Sequence, residues 1–285
     1  MQLLRFGHAG AEKPGMIDAS GQIRDLSGYI PDWAGDFLSP NALAGLPTID
    51  PAIFPLVPSD TRIGPCIGGS RKYICVGLNY HGNAAALKQP LPVEPAIAMK
   101  ALSAICGPHD DIELPRDASS TDWEVELGVI IGHKTKYIEE AEARVHIAGY
   151  CLLNDIADRE LQSKRGGDSS KGRGHDSFGP IGPYFVPASA LIDPQDIKLW
   201  LEVDGQRVQD CSTADMIFGV DYLVAYISQF MTLLPGDIIA TGTPAGIGVG
   251  MTPPRFLTPG QRVRLGGDGL GEQAHEVVTH RSSER

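Results

Sequence analysis

Apolar and polar residues alternate through Thr121-Asp122-Trp123-Glu124-Val125-Glu126-Leu127-Gly128-Val129-Ile130-Ile131-Gly132, and this period of two predicts a strand over 122–132. The apolar run Ala148-Gly149-Tyr150-Cys151-Leu152-Leu153 predicts a second strand, ending at Asn154-Asp155, after which Asp158-Arg159-Glu160-Leu161-Gln162 opens a helix. Further strands are expected over 72–78, 95–100 and 111–115, with a short helix at 84–87 that Pro90 breaks and another helix over 139–146. Residues 199–208 read as a hairpin turning at Asp204-Gly205, and 221–234 as an apolar helix with Tyr222, Leu223, Ala225, Tyr226 and Phe230 on a core-facing side. Before these lie a β-rich stretch over 1–27 and a proline-rich connector over 38–65. The expected architecture is a strand-rich α+β fold, divided into a small amino-terminal β unit with its connector (1–68) and a larger catalytic domain (69–285).

Composition narrows the partners. The 285 residues are 42% hydrophobic and 21% charged, ordinary for a globular chain, and no apolar stretch approaches the roughly 20 residues that span a bilayer. The amino terminus lacks the apolar core of a signal peptide, so a soluble cytoplasmic protein is expected. A net charge of −11 without Lys/Arg runs leaves no footprint for nucleic acid or an anionic membrane surface. Five scattered cysteines without paired spacing read as reduced thiols, with Cys75 and Cys151 buried as small hydrophobes.

Candidate chemistry gathers on the two central strands. Alternation puts Glu124 and Glu126 on one face, and Asp155 adds a third carboxylate at a strand end. Three convergent carboxylates repel one another, which is relieved by raised pKa values or by a bound cation. With no His or Cys beside them, an all-oxygen site favours Mg²⁺, Mn²⁺ or Ca²⁺ over Zn²⁺. The same Glu-Val-Glu also suits the solvated face of an edge strand.

The order of four blocks adds to this reading. Asp122-Trp123-Glu124-Val125-Glu126-Leu127-Gly128, then Ala148-Gly149-Tyr150 with Asn154-Asp155, then Gly179-Pro180-Ile181-Gly182-Pro183, then Pro235-Gly236-Asp237-Ile238-Ile239-Ala240-Thr241-Gly242-Thr243-Pro244 together resemble the fumarylacetoacetate hydrolase family. The resemblance implies a mixed β-roll, metal ligation by Glu124, Glu126 and Asp155, a Mg²⁺ or Mn²⁺ cofactor with Ca²⁺ as a further option, and a homodimer. It implies that Arg159, Gln162, Arg173, Gly242 and Thr243 hold a small 2-oxo acid. The amino-terminal segments look like the bacterial branch that contains diketo-deoxy-sugar-acid and fumarylpyruvate hydrolases.

Three positions depart from the family pattern. Its lid reads Asn-Tyr-x-x-His-x-x-Glu, with the His and Glu activating water, whereas this chain has Asn79-Tyr80-His81-Gly82-Asn83-Ala84-Ala85-Ala86. Neither Asn83 nor Ala86 accepts a proton near neutral pH. Arg173 stands where a Lys is usual; it keeps the charge for a carboxylate but does not transfer protons. His81, His175 and Lys171 are the candidate replacements, with His81 and Lys171 put forward as catalytic. Residues 166–174 read as a mobile active-site loop that contributes a cation. The leading expectation is hydrolytic C–C cleavage of an acylpyruvate or 2,4-diketo acid, releasing pyruvate. The missing dyad keeps two alternatives open: a decarboxylase, tautomerase or other enolate-forming enzyme on an oxaloacetate-like acid, and a non-catalytic oxo-acid binder.

Overall fold

Val125–Ile131 lies in the middle of a six-stranded sheet and is buried along its whole length. The strand order is Val186–Pro187, Ile147–Asn154, Val125–Ile131, Ile238–Ala240, Tyr73–Gly77, Ala96–Met99. Neighbours run antiparallel except Ile238–Ala240 and Tyr73–Gly77, which are parallel. The computed structural model describes residues 1–191 and 193–280.

Both faces of this sheet are covered, which is why its strands carry so little polar surface. Val125, Leu127, Val129 and Ile131 share a core with Leu199, Leu201, Val263 and Leu265 of a five-stranded sheet, and with Leu223, Val224 and Ile227 of the helix Val220–Ser228. On the other face Ile130, Cys151 and Leu153 pack with Leu3, Met16, Trp33 and Leu38 from the amino-terminal residues. There Leu3–Phe6, Lys13–Ile17 and Ile23–Asp25 form an antiparallel sheet of their own. The five-stranded sheet runs Gln206–Ser212, Lys198–Val203, Arg262–Gly267, Gly271–Val278, Ile112–Glu113, and its first two strands are the hairpin expected at Asp204-Gly205. The strand-rich α+β class read from the sequence holds, and Cys66, Cys75 and Cys151 are buried free thiols.

Several element boundaries differ from expectation for identifiable reasons. The strand over 122–132 breaks at Trp123-Glu124, because Asn154 Oδ1 accepts the Glu124 N–H at 2.9 Å and Glu124 O accepts the Asp155 N–H at 2.9 Å, replacing the regular ladder. The apolar helix stops at Ser228, and Leu233 pairs instead with Thr135 through reciprocal 2.9 Å backbone bonds. Its aromatic side lies at the edge of the core: Phe218 and Tyr226 are half-buried against it, Phe230 is exposed, and Phe218, Tyr222, Tyr226 and Phe230 form a stepwise ring ladder with centroid spacings of 5.4, 5.9 and 4.8 Å. Residues 166–174 are not all loop. Asp168 caps the short helix Ser169–Arg173 by accepting the Ser170 N–H. The lid helix starts earlier than expected, at His81–Ala86.

Candidate metal and active site

Pairing of the two central strands brings the acidic residues together. Glu126 stands opposite Leu153, and the Asn154 and Asp155 contacts with Glu124 set the third carboxylate beside the first two. Glu124, Glu126 and Asp155 are 4%, 1% and 1% exposed, and one oxygen from each lies within 4.8 Å of the others. This is the one such group of His, Cys, Asp or Glu among the described residues. The arrangement excludes the solvated edge-strand reading, because the strand is central and the carboxylates are buried.

Buried carboxylates require compensation, and three cations supply it. Arg159 donates through Nε to Asp122 Oδ2 at 2.9 Å, through Nη2 to Glu124 Oε1 at 2.6 Å, and through Nη1 to Gln162 Oε1 at 3.1 Å. Arg173 Nη1 donates to Glu124 Oε2 at 2.9 Å and to Asp155 Oδ2. Lys100 donates to the carbonyls of Ile156, Arg173 and Phe178 at 3.0, 2.9 and 2.8 Å. Its ammonium also lies 2.8 Å from Asp155 Oδ1, a contact of charge on charge, since the three protons are already used and that oxygen has no hydrogen-bond donor aimed at it.

These placements shift the titrations in opposite directions. Glu126 is pushed well above the usual carboxylate range by burial first, then by the charges of Asp155 and Glu124; no ion pair reaches it and only the Gly242 N–H, at 2.7 Å, donates to it. Burial raises Asp155 as well, but Arg173 and Lys100 more than reverse this and hold it below its ordinary value. The donor set fits a hard divalent ion: three buried carboxylate groups, oxygen only, with an Asp155 lone pair free of hydrogen bonds and room in the coordination number for water or ligand oxygens.

The Thr-Gly-Thr turn is tied to both the triad and the lid. Gly242 has φ +97°, and a Cβ there would fall 2.7 Å from the Asn79 Cβ, so only glycine lets this turn pass the lid and aim its N–H at Glu126. Asn79 donates to Thr241 O at 2.7 Å. Thr243 Oγ1 donates to Val125 O at 2.9 Å and accepts from Gln209 Nε2 at 2.8 Å, keeping one lone pair. Tyr80 is fully buried and close enough to Glu126 that, after burial, this carboxylate is the largest cause raising its phenol. Asn83 is buried with Oδ1 unpartnered, while Ala86 is exposed.

The structure thus gathers Glu124, Glu126, Asp155, Arg159, Arg173, Gly242 and Thr243 into one buried network, with Gln162 on its edge. His81 and Lys171 are exposed, and Lys171 Nζ is turned to Arg165 O. His175 packs edge-on against Phe178 with Nε2 buried and unpartnered, and burial lowers its pKa. Sequence reasoning missed Lys100. Its signal was a lone lysine closing the apolar run Ala96-Ile97-Ala98-Met99. It also missed Asp122 as part of the network, where its carboxylate accepts the Gly248 and Val249 N–H groups at 2.7 and 3.0 Å besides Arg159.

Comparison with known proteins shows the family and agrees with the fold. The model of the fumarylacetoacetate (FAA) hydrolase C-terminal family matches residues 72–278. A Burkholderia ambifaria protein, whose name gives it provisionally as a hydrolase, is 55% identical over 274 residues, covering 96% of this chain and 97% of its own. Fumarylacetoacetate hydrolase from Exiguobacterium antarcticum superposes with a TM-score of 0.85 at 32% identity, over 98% of this chain and 100% of its own. Maleylpyruvate hydrolase from Sphingobium sp. SYK-6, solved with manganese(II) and pyruvate, superposes with a TM-score of 0.79 at 26% identity, over 99% of this chain and 100% of its own.

Proposed function

Because the chain belongs to the fumarylacetoacetate hydrolase family, we propose that it is a divalent-metal-dependent enzyme acting on an acylpyruvate or 2,4-diketo acid, cleaving a C–C bond with water and releasing pyruvate. The observation that carries this is the buried carboxylate triad, set against Arg159, Arg173 and the Gly242-Thr243 turn. Glu124, Glu126 and Asp155 would hold the ion, Mg²⁺ or Mn²⁺. When bound, it supplies Lewis-acid polarisation of a 2-oxo acid's keto oxygen and stabilises the developing enolate charge. Arg159, fixed by Asp122, Glu124 and Gln162, keeps positive charge at the ligand's carboxylate, and Thr243 Oγ1 has a free lone pair for a ligand donor. A neutral His175 is the residue near the loop able to take a proton, since burial disfavours its charged form.

One observation favours a second reading. The lid presents Asn83 and Ala86 where a base and its orienting carboxylate are expected, so a reaction that forms an enolate without activating water, such as tautomerisation or decarboxylation, uses everything the site retains. Similar solved structures include a 5-carboxymethyl-2-hydroxymuconate delta-isomerase from Mycobacterium smegmatis, 31% identical with a TM-score of 0.78. Product analysis separates the readings. With Mg²⁺ or Mn²⁺, hydrolysis of an acylpyruvate releases pyruvate and a carboxylic acid in equal amounts; CO₂ release, or loss of the C3 protons to D₂O without cleavage, supports the second. No reaction with any diketo acid or oxaloacetate contradicts both and leaves a non-catalytic binder.

The family resemblance also supports a homodimer, checked by mass in solution. The unpaired thiols and the lack, among the described residues, of a helix able to cross a membrane support a cytoplasmic setting.

A further inference from the structure

Arg173 stands on one oxygen of each of two triad carboxylates. All its hydrogen bonds leave from Nη1, to Glu124 Oε2, to Asp155 Oδ2 and, at 3.4 Å, to Asp155 O, while Nε is buried without a partner. A divalent ion takes carboxylate lone pairs at a distance of about 2.0–2.6 Å, and on these two oxygens a bonded guanidinium proton already occupies that place. Arg173 is itself only 6% exposed, so it also closes the triad from solvent.

Its backbone is not free to follow the side chain. Lys100 holds the Arg173 carbonyl at 2.9 Å, and Gly172 is packed so closely that a Cβ would fall 2.6 Å from Asp158 O and 2.8 Å from the Gln162 Cβ. Any departure of the guanidinium is therefore a side-chain rotation about a fixed Cα. Charge gives that rotation a destination. With every group counted as ionised, Asp122, Glu124, Glu126 and Asp155 against Lys100, Arg159 and Arg173 leave one formal negative charge; a dication turns it to one positive, which an anionic ligand then offsets.

We infer that Arg173 is a resident cation which the divalent ion displaces, and that the displaced guanidinium then receives the carboxylate of the oxo acid, so that metal and ligand bind cooperatively. This rests on the metal reading of the triad. It also assigns the Arg in place of the usual Lys a task in metal uptake, because its Nη1 bridges Glu124 and Asp155 and the guanidinium keeps its charge when it leaves them.

The test is Mn²⁺ titration of wild type and Arg173→Met, with and without oxalate, joined by a crystal structure of the Mn²⁺-loaded wild type. In the wild type, oxalate tightens Mn²⁺ binding by about 5–150-fold, the usual span for coupled sites. Arg173→Met binds Mn²⁺ more tightly than the wild type when oxalate is absent, and the oxalate effect collapses. In the loaded crystal, Nη1 has left Asp155. Equal Mn²⁺ affinity in both proteins, or Mn²⁺ at the triad with Arg173 still on Asp155, overturns the displacement and leaves the metal site standing. Absence of Mn²⁺ binding from wild type and variant, with or without oxalate, overturns both. Should Arg173→Met fail to fold, the loaded wild-type crystal alone decides.

Discussion

The triad and the lid are two halves of one site built on opposite principles. Around the triad, seven charged side chains are packed into the sheet's end and, Glu126 apart, joined by ion pairs; the lid segment, tied to it through Asn79 and Tyr80, contributes only neutral groups to the interior. On the proposed reading, the difference teaches that positioning a 2-oxo acid and activating water are separable tasks, and that this chain has groups suited to the first and lacks the family's usual dyad for the second.

The sharpest way to break that contrast is to return the missing groups. Asn83→His with Ala86→Glu places an imidazole and a carboxylate three residues apart on the helix His81–Ala86, where side chains at i and i+3 meet. Pyruvate release from a simple acylpyruvate is expected to rise by about 10²–10⁴, the usual worth of general acid–base help, and each single change to do much less. A double variant no faster than the wild type, in an enzyme already hydrolysing acylpyruvates efficiently, means that another residue supplies the base.

The charged half is tested by removing its hidden support. Lys100→Met leaves Asp155 and three carbonyls without their cation, and loss of one partner from a buried pair is expected to destabilise the fold by about 3–5 kcal/mol, read from the urea midpoint. A change below about 1 kcal/mol contradicts the part given to Lys100. At the bottom of the scale, His81→Asn and Lys171→Gln alter exposed side chains. Stability is expected to move by no more than about 0.5 kcal/mol and the rate to stay unchanged; a large rate loss in either restores that residue as the base.

How much of this was legible in the sequence follows the same divide. The period-two pattern marked the central strands, and the order of motifs placed Glu124, Glu126 and Asp155 together, because strand pairing converts spacing into position directly. The lid's departure was equally plain, since a missing base is a fact of residue type. Lys100 was not legible: its partners are backbone carbonyls of residues 156, 173 and 178, far away in the chain and without a side-chain signature. The local structure that carries Arg173 was not legible either. A loop was expected over 166–174, whereas the Asp168 cap and the closely packed Gly172 form a short helix that aims the guanidinium at the triad. Phe230 and its ring ladder show the limit of apolar periodicity, which marks a face without stating what covers it.

The central claim is that the triad binds one divalent ion, and denaturant unfolding with and without Mn²⁺ tests it most directly. At Mn²⁺ near 100 times its Kd, the wild type is expected to gain about 2.7 kcal/mol of stability by mass action. Glu126→Gln, which keeps the shape of the one triad member outside the ion pairs, is expected to gain almost nothing. Equal behaviour of the two proteins, whether both gain or neither does, contradicts the assignment.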